Sequence, residues 1–158
     1  MNLGSLTVSV SNEVTAKFKE RAKGCFPNET FAYLVGQYVD KDRVSITDIH
    51  VPENVDAFCN PAEVDVQGSW LRKARAAARR DGNVLVGDIH SHPYSAKEMA
   101  GRAPHKPDTS PSESDLERTF VAGPVMGICL VTESSTGKLR ARVRFWAPMV
   151  RIIEVVSR

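Results

Sequence analysis

The chain of 158 residues is short of cysteine, of net charge and of long apolar runs. Each shortage argues against a class of protein. Its three cysteines, Cys25, Cys59 and Cys129, are far apart and form no CxxC pair. That speaks against cysteine-bound metal and for reduced thiols in a cytoplasmic setting. Cys129 lies in the apolar run Met126–Val131 and reads as core. No apolar run approaches the roughly 18–20 residues of a membrane span. Met1–Ser5 lacks a basic region followed by an apolar one, so no signal peptide is expected. Twenty-one Lys and Arg against 19 Asp and Glu give a net charge of +2, too slight to argue for nucleic acid or acidic lipid. What remains, 42% apolar and 25% charged, is ordinary for a globular domain and enough for one real core.

Histidine is scarce too, yet two of the four stand one residue apart in Gly87-Asp88-Ile89-His90-Ser91-His92-Pro93, directly after Val84-Leu85-Val86. In a strand, alternate residues face the same way, so His90 and His92 aim together with Ser91 opposite. Pro93 is expected to end the strand, because it cannot donate a ladder hydrogen bond. Two converging imidazoles with an acid from elsewhere make a three-ligand zinc site with one open position. Nineteen residues after Pro93 comes Ser112-Glu113-Ser114-Asp115. On its own this is a helix start, Ser at the cap with an acid three residues later. The same geometry holds Asp115 rigidly against a cation. Ser95-Ala96-Lys97-Glu98 repeats the pattern but is too close to His92, and His105 and Asp108 lie among prolines. Glu29 is a lone acid leading into an apolar strand. By itself it reads as a solvated turn residue.

The remaining pattern is that of a single α/β domain. Leu6–Val10 alternates as a strand. A helix capped by Ser11 or Asn12 carries Val14, Phe18 and Ala22 on one face and is expected to stop at Gly24. Thr30–Val39 and Arg43–Val51 pair across Asp40-Lys41-Asp42. A helix is expected over Ala62–Arg80, with Trp70, Ala74, Ala77 and Ala78 on one side. Tyr94–Pro111 reads as a loop, and Ser112 opens a helix to about Val121. Val125–Thr132 and Lys138–Trp146 form a hairpin whose second strand alternates core residues with Arg140, Arg142 and Arg144. That arginine row reads as a solvated face that discourages edge-to-edge pairing, with contact to an acidic modifier surface as the alternative. Met149–Val156 is open between strand and short helix.

Together, Glu29, His90-Ser91-His92-Pro93 and Ser112-Glu113-Ser114-Asp115 resemble the JAMM (JAB/MPN+) metallopeptidase motif: a Glu on an early strand, then His-[Ser/Thr]-His-Pro, then Ser-x-x-Asp. The order and the element under each residue agree, and Leu34 and Gly36 fit the early strand, with Ala32 where glycine is frequent. The resemblance covers about residues 6–156. It implies one MPN/JAB-type domain over 1–158, a central mixed curved β-sheet flanked by α-helices in a cytidine-deaminase-like architecture. It also implies one Zn²⁺ held by His90, His92 and Asp115, Glu29 as the base and Ser112 as donor to the oxyanion. Members with the full motif cut peptide or isopeptide bonds at the C-terminal tail of ubiquitin or a ubiquitin-like protein. The implied partner is therefore such a tail, or that of a sulfur-carrier-like protein, in precursor processing or deubiquitinase-like deconjugation. Some relatives resemble partners of bacterial conjugation operons in antiphage defence.

Two departures stand out. The run between Pro93 and Ser112 is longer than the motif ordinarily allows, which makes 94–111 an insertion beside the site. Asp88 replaces the usual bulky apolar residue, and either orients a ligand histidine or lies at the sheet surface. Other His-x-His hydrolases fit less well. Metallo-β-lactamase-like enzymes need Asp and His where Tyr94 and Ser95 stand, and amidohydrolase barrels need about 250 residues. The competing readings are a metal-free MPN-type scaffold, a JAMM-like domain of the type assigned to DNA repair, and a zinc hydrolase of small molecules.

Overall fold

A computed structural model describes residues 5–101, 111–117, 121–147 and 152–157. The elements in chain order are β1 (Ser5–Val10), α1 (Asn12–Cys25), β2 (Phe31–Asp40), β3 (Arg43–His50), a 3₁₀ turn at Val55–Phe58 and α2 (Gly68–Arg80). There follow β4 (Val84–Tyr94), α3 (Ala96–Gly101), α4 (Glu113–Glu117), β5 (Val125–Glu133), β6 (Leu139–Trp146) and β7 (Ile152–Ser157). The strands form one mixed sheet in the order β6-β5-β4-β2-β3-β1-β7. Strand β4 runs parallel to β5 and antiparallel to β2. Bulges in β2, after Leu34 against β4 and after Val35 against β3, bend the sheet.

Each face of the sheet is covered by one long helix. Helix α1 starts where Ser11, in extended backbone, accepts the Glu13 N–H at 3.2 Å. It buries Val14, Phe18 and Ala22 against Ala32, Leu34, Ile89 and Cys129. It does not stop at Gly24 but runs on to Cys25. The physical stop is Pro27, which forces Phe26 out of helical backbone. Helix α2 packs Trp70, Ala74 and Ala78 on the opposite face, against Phe31, Tyr33 and Leu85. Ala77 is only half-buried.

The expected start of α2 at Ala62 is wrong, and Asn60 is the reason. Its side-chain oxygen accepts the N–H groups of Ala62 and Glu63 at 2.8 and 3.0 Å. Val64 then bridges back to Cys59 and the Asp65 N–H donates to the Phe58 carbonyl, so the chain stays extended until Gly68. An Asx turn has captured the amides that a helix would use. The C-terminal segment, open between strand and helix in the sequence, is a strand: β7 pairs in parallel with β1 over six residues.

Two glycines shape the sheet beside the histidines. Gly87 sits opposite Val125, and a methyl group added there would collide with the Val125 carbonyl. Just before β5, a methyl on Gly123 would collide with the backbone of Val86. The chain entering β5 thus touches β4 immediately upstream of Asp88-Ile89-His90.

Candidate metal centre

Register places the site residues before their side chains are considered. Phe31 pairs with His90 and Ala32 with Ile89 across the antiparallel β2/β4 ladder. The Ser91 N–H donates to the Thr30 carbonyl at 3.0 Å, and the Thr30 N–H donates to the Ser91 hydroxyl at 2.9 Å. Continuing that register sets Glu29 opposite His92, on the same face. Ser91 is fully buried on the α1 face. It is a clamp between the two strands, which explains a small hydroxyl residue between the histidines.

Strand β4 does not end at Pro93. It runs through Tyr94, paired with Val131 and Thr132 of β5. The Ser91 nitrogen faces β2, so the Pro93 nitrogen, two residues on, faces the same side, where β2 has already ended. The missing donor therefore costs no ladder bond. The expected loop from Tyr94 is also only partly right: Tyr94 is still strand, and α3 follows from Ala96. The stretch 102–110, which includes His105 and Asp108, lies outside the described residues.

Asp115 enters from the start of α4. The Ser112 N–H donates to Asp115 Oδ2 at 2.8 Å and the Asp115 N–H donates back to Ser112 Oγ at 3.2 Å. This is a capping box with Asp in the acid position. The same carboxylate meets both histidines: Oδ1 lies 3.0 Å from His90 Nε2, and Oδ2 lies 3.3 Å from His92 Nε2. The two Nε2 atoms are 3.0 Å apart. Asp115 is only 3% exposed and His90 is buried. Burial alone would raise the Asp115 pKa. Bonds from His90, His92 and the Ser112 N–H outweigh it and hold the carboxyl well below the usual carboxylate range.

One donor atom from each of the three residues lies within 4.8 Å of the other two, close enough to surround a single metal ion. Tetrahedral zinc, with bonds of about 2.0–2.1 Å, spaces neighbouring ligands by about 3.3 Å. His90, His92 and Asp115 form the only such histidine, cysteine and acid group among the described residues. None of the three cysteines belongs to it. Cys129 is buried in the core, and burial pushes its thiol up to about 12.

Two cavities flank the group. One, about 320 Å³, is lined by Glu29, His92, Ser112 and Asp115, with Glu63 and Glu98 at its rim. Glu29 is not the solvated turn residue its isolated position suggests. It is 8% exposed, and its N–H donates to the Asn60 carbonyl at 3.0 Å. Sequence reading missed Asn60, whose turn carries that anchor; an Asn-Pro step followed by two acceptable turn residues was the available signal. The second cavity, about 260 Å³, has Phe31, Tyr33, Asp88, His90, Ala122 and Met126 among its walls. Asp88 is half-buried there and does not lie on an open sheet surface. Burial, and then the charge of Asp88, push the Tyr33 hydroxyl up to about 12, with Arg75 opposing.

The fold is that of a JAB/MPN-type α/β domain. The family model for prokaryotic homologs of the JAB domain, Prok-JAB, matches residues 11–98, more than half of the chain, and the chain belongs to that family. The matched segment includes Glu29, His90 and His92 and stops short of Ser112 and Asp115. No curated protein matches the chain. Among solved structures, protein DSY2949 from Desulfitobacterium hafniense is similar with a TM-score of 0.61 at 18% identity, over 96% of this chain and 94% of that one. AF2198, a JAB1/MPN domain protein from Archaeoglobus fulgidus, is similar with a TM-score of 0.55 at 18% identity, over 96% and 98%. A third, described as a JAMM metalloprotease-like zinc site in the proteasome and signalosome, reaches 0.51 at 16% identity, over 96% and 98%. At these identities the likeness is one of fold.

Proposed function

We propose that the protein is a zinc-dependent peptidase or isopeptidase that cuts at the C-terminal tail of a ubiquitin-like or sulfur-carrier-like protein. One observation carries this reading. Glu29, His92 and the Ser112/Asp115 pair come from three separate segments of the chain, yet they line one cavity. In the proposal His90, His92 and Asp115 hold the ion. Zinc in that position supplies Lewis acidity and brings the pKa of a water to near 7. Glu29, anchored through its backbone, takes a proton from the attacking water and delivers it to the departing amine. Ser112 donates to the oxyanion as the carbonyl becomes tetrahedral. A hydroxyl both accepts and donates, so receiving the Asp115 N–H is compatible with that role.

The choice of an extended tail as substrate is supported by family membership and by the two cavities on either side of the His-Asp group, which give a chain room to enter and to leave. We also propose a reducing cytoplasm as its setting, because all three cysteines are free thiols, and a bacterial conjugation operon of the antiphage type as its genomic context. A neighbouring gene for a small protein ending in Gly-Gly, or for an adenylating enzyme, is the expected signature.

The test is cleavage of a panel of modifier-tail fusion proteins by the purified full chain, with metal content measured in the same preparation. One zinc per chain, and cleavage that a chelator stops and zinc restores, are expected. A chain that binds no metal and cuts nothing is a scaffold. One that binds zinc but cuts only small amides is a different hydrolase.

A further inference from the structure

The pairing register resolves a question the sequence left open: which face the arginines of β6 occupy. Across β4, β5 and β6, His90 pairs with Ile128, which pairs with Arg144; His92 pairs with Leu130, which pairs with Arg142. Tyr94, Thr132 and Arg140 make the next row. Paired residues share a face, so all three arginines lie on the same side of the sheet as the His-Asp group. Two strand spacings put the Arg144 and His90 backbones about 10 Å apart.

Arg140, Arg142 and Arg144 are all exposed, and none forms an ion pair among the described residues. The Arg144 guanidinium lies 4.4 Å from the Trp146 ring centroid, which gives it a preferred position on that face. Strand β6 is also the last strand of the sheet, so its outer ladder has no strand partner among the described residues. Its other face carries Leu139, Ala141, Val143 and Phe145 into the α1 core, and Phe145 is buried.

We infer that β6 is a docking edge for an acidic extended polypeptide, which adds as a further strand and sets Asp or Glu side chains beside the arginines at every second position. The arginines repeat at about 6.8 Å, the interval at which an added strand presents side chains on one face. Opposite charges facing each other across a strand pair attract, and like charges repel. A second copy of β6 would bring arginine against arginine, so the edge rejects itself while attracting acid. A nucleic acid would satisfy the charge but not the outer N–H and C=O groups of the strand; a polypeptide satisfies both. Docking does not require the peptidase reading to hold.

The experiment measures binding of a labelled dodecapeptide of alternating Thr and Glu to the full chain by fluorescence anisotropy at low salt. Comparison probes are the alternating Thr-Lys peptide, a Thr-Glu peptide N-methylated at alternate residues, and single-stranded oligonucleotide of equal charge. Saturable binding of the Thr-Glu peptide alone is expected, weakened at least tenfold in Arg142→Glu, which is exposed and keeps the fold and metal content of the wild type. Tight binding of the oligonucleotide, unchanged affinity after N-methylation or in Arg142→Glu, or no binding of the acidic peptide would each overturn the proposal. Because the readout is binding, a loss of peptidase activity elsewhere leaves it unaffected.

Discussion

Two helix starts flank the stretch 102–110, and they are built alike. At α3 the Glu98 N–H donates to Ser95 Oγ and the Ser95 N–H donates to Glu98 Oε1, both at 3.2 Å. At α4 Ser112 and Asp115 make the same exchange. The capping exchange and the helix length are nearly the same, and the surroundings differ. Glu98 is exposed and serves its helix. Asp115 is buried and its carboxylate also meets His90 and His92. A capping box holds a carboxylate still, and the fold decides what that carboxylate faces. The same device is thus a local stabiliser in one place and part of a candidate metal centre in the other.

The contrast can be broken most sharply at its acids. Asp115→Ala is expected to take bound zinc from one per chain to near zero and to abolish turnover, whereas Glu98→Ala keeps the full complement. Metal analysis of the dialysed variants decides this, and a fully loaded Asp115→Ala protein would remove Asp115 from the ligand set. Next in size is Glu29→Gln, which should keep zinc and lose about 10²–10⁴-fold in turnover, the range of general-base catalysis. Cleavage at the wild-type rate would assign the base elsewhere. Ser112→Ala should lose about 10²–10³-fold in kcat, as oxyanion donors do, while Ser95→Ala leaves kcat unchanged. Both serine variants should lose about 0.5–2 kcal/mol of stability, the usual range for an N-cap. Steady-state kinetics beside denaturant melts of the pair separates the two roles.

The smallest effect is one of pH on the metal-free protein. The Asp115 pKa is depressed in the folded state, so its contribution to stability is present above the unfolded carboxylate value of about 3.9 and is lost as pH falls toward the folded value. The stability gap between wild type and Asp115→Asn should therefore narrow below about pH 4. A gap that stays constant from neutral pH down to acid would show that the carboxylate is not held by charge.

The sequence made the site legible where a short pattern carries it. Strand alternation put His90 and His92 on one face, and the cap pattern located the start of α4. What it could not carry was depth and register. Glu29 looks solvated until the turn at Asn60 folds over it. Ser91 looks like a spacer until Thr30 is seen bonded to it from 61 residues away. Pro93 looks like a strand end because the limited reach of β2 is not written near it. Helix α2 is shorter than its propensity suggests because Asn60 captures amides that a helix would use. Alternation alone puts Arg140, Arg142 and Arg144 on one face, but only the β4/β5/β6 register shows which one.

The contact of Gly87 and Gly123 with opposing backbone has a diagnostic use. A sequence carrying the His-x-His-Pro signature with a side chain at either position could not keep this approach between β4 and the chain entering β5. In mining genomes for proteins with this architecture, a glycine three residues before the first histidine and another shortly before the following strand are thus selection criteria beyond the ligands. They report backbone proximity rather than chemistry, and they would persist in relatives whose histidines have been lost.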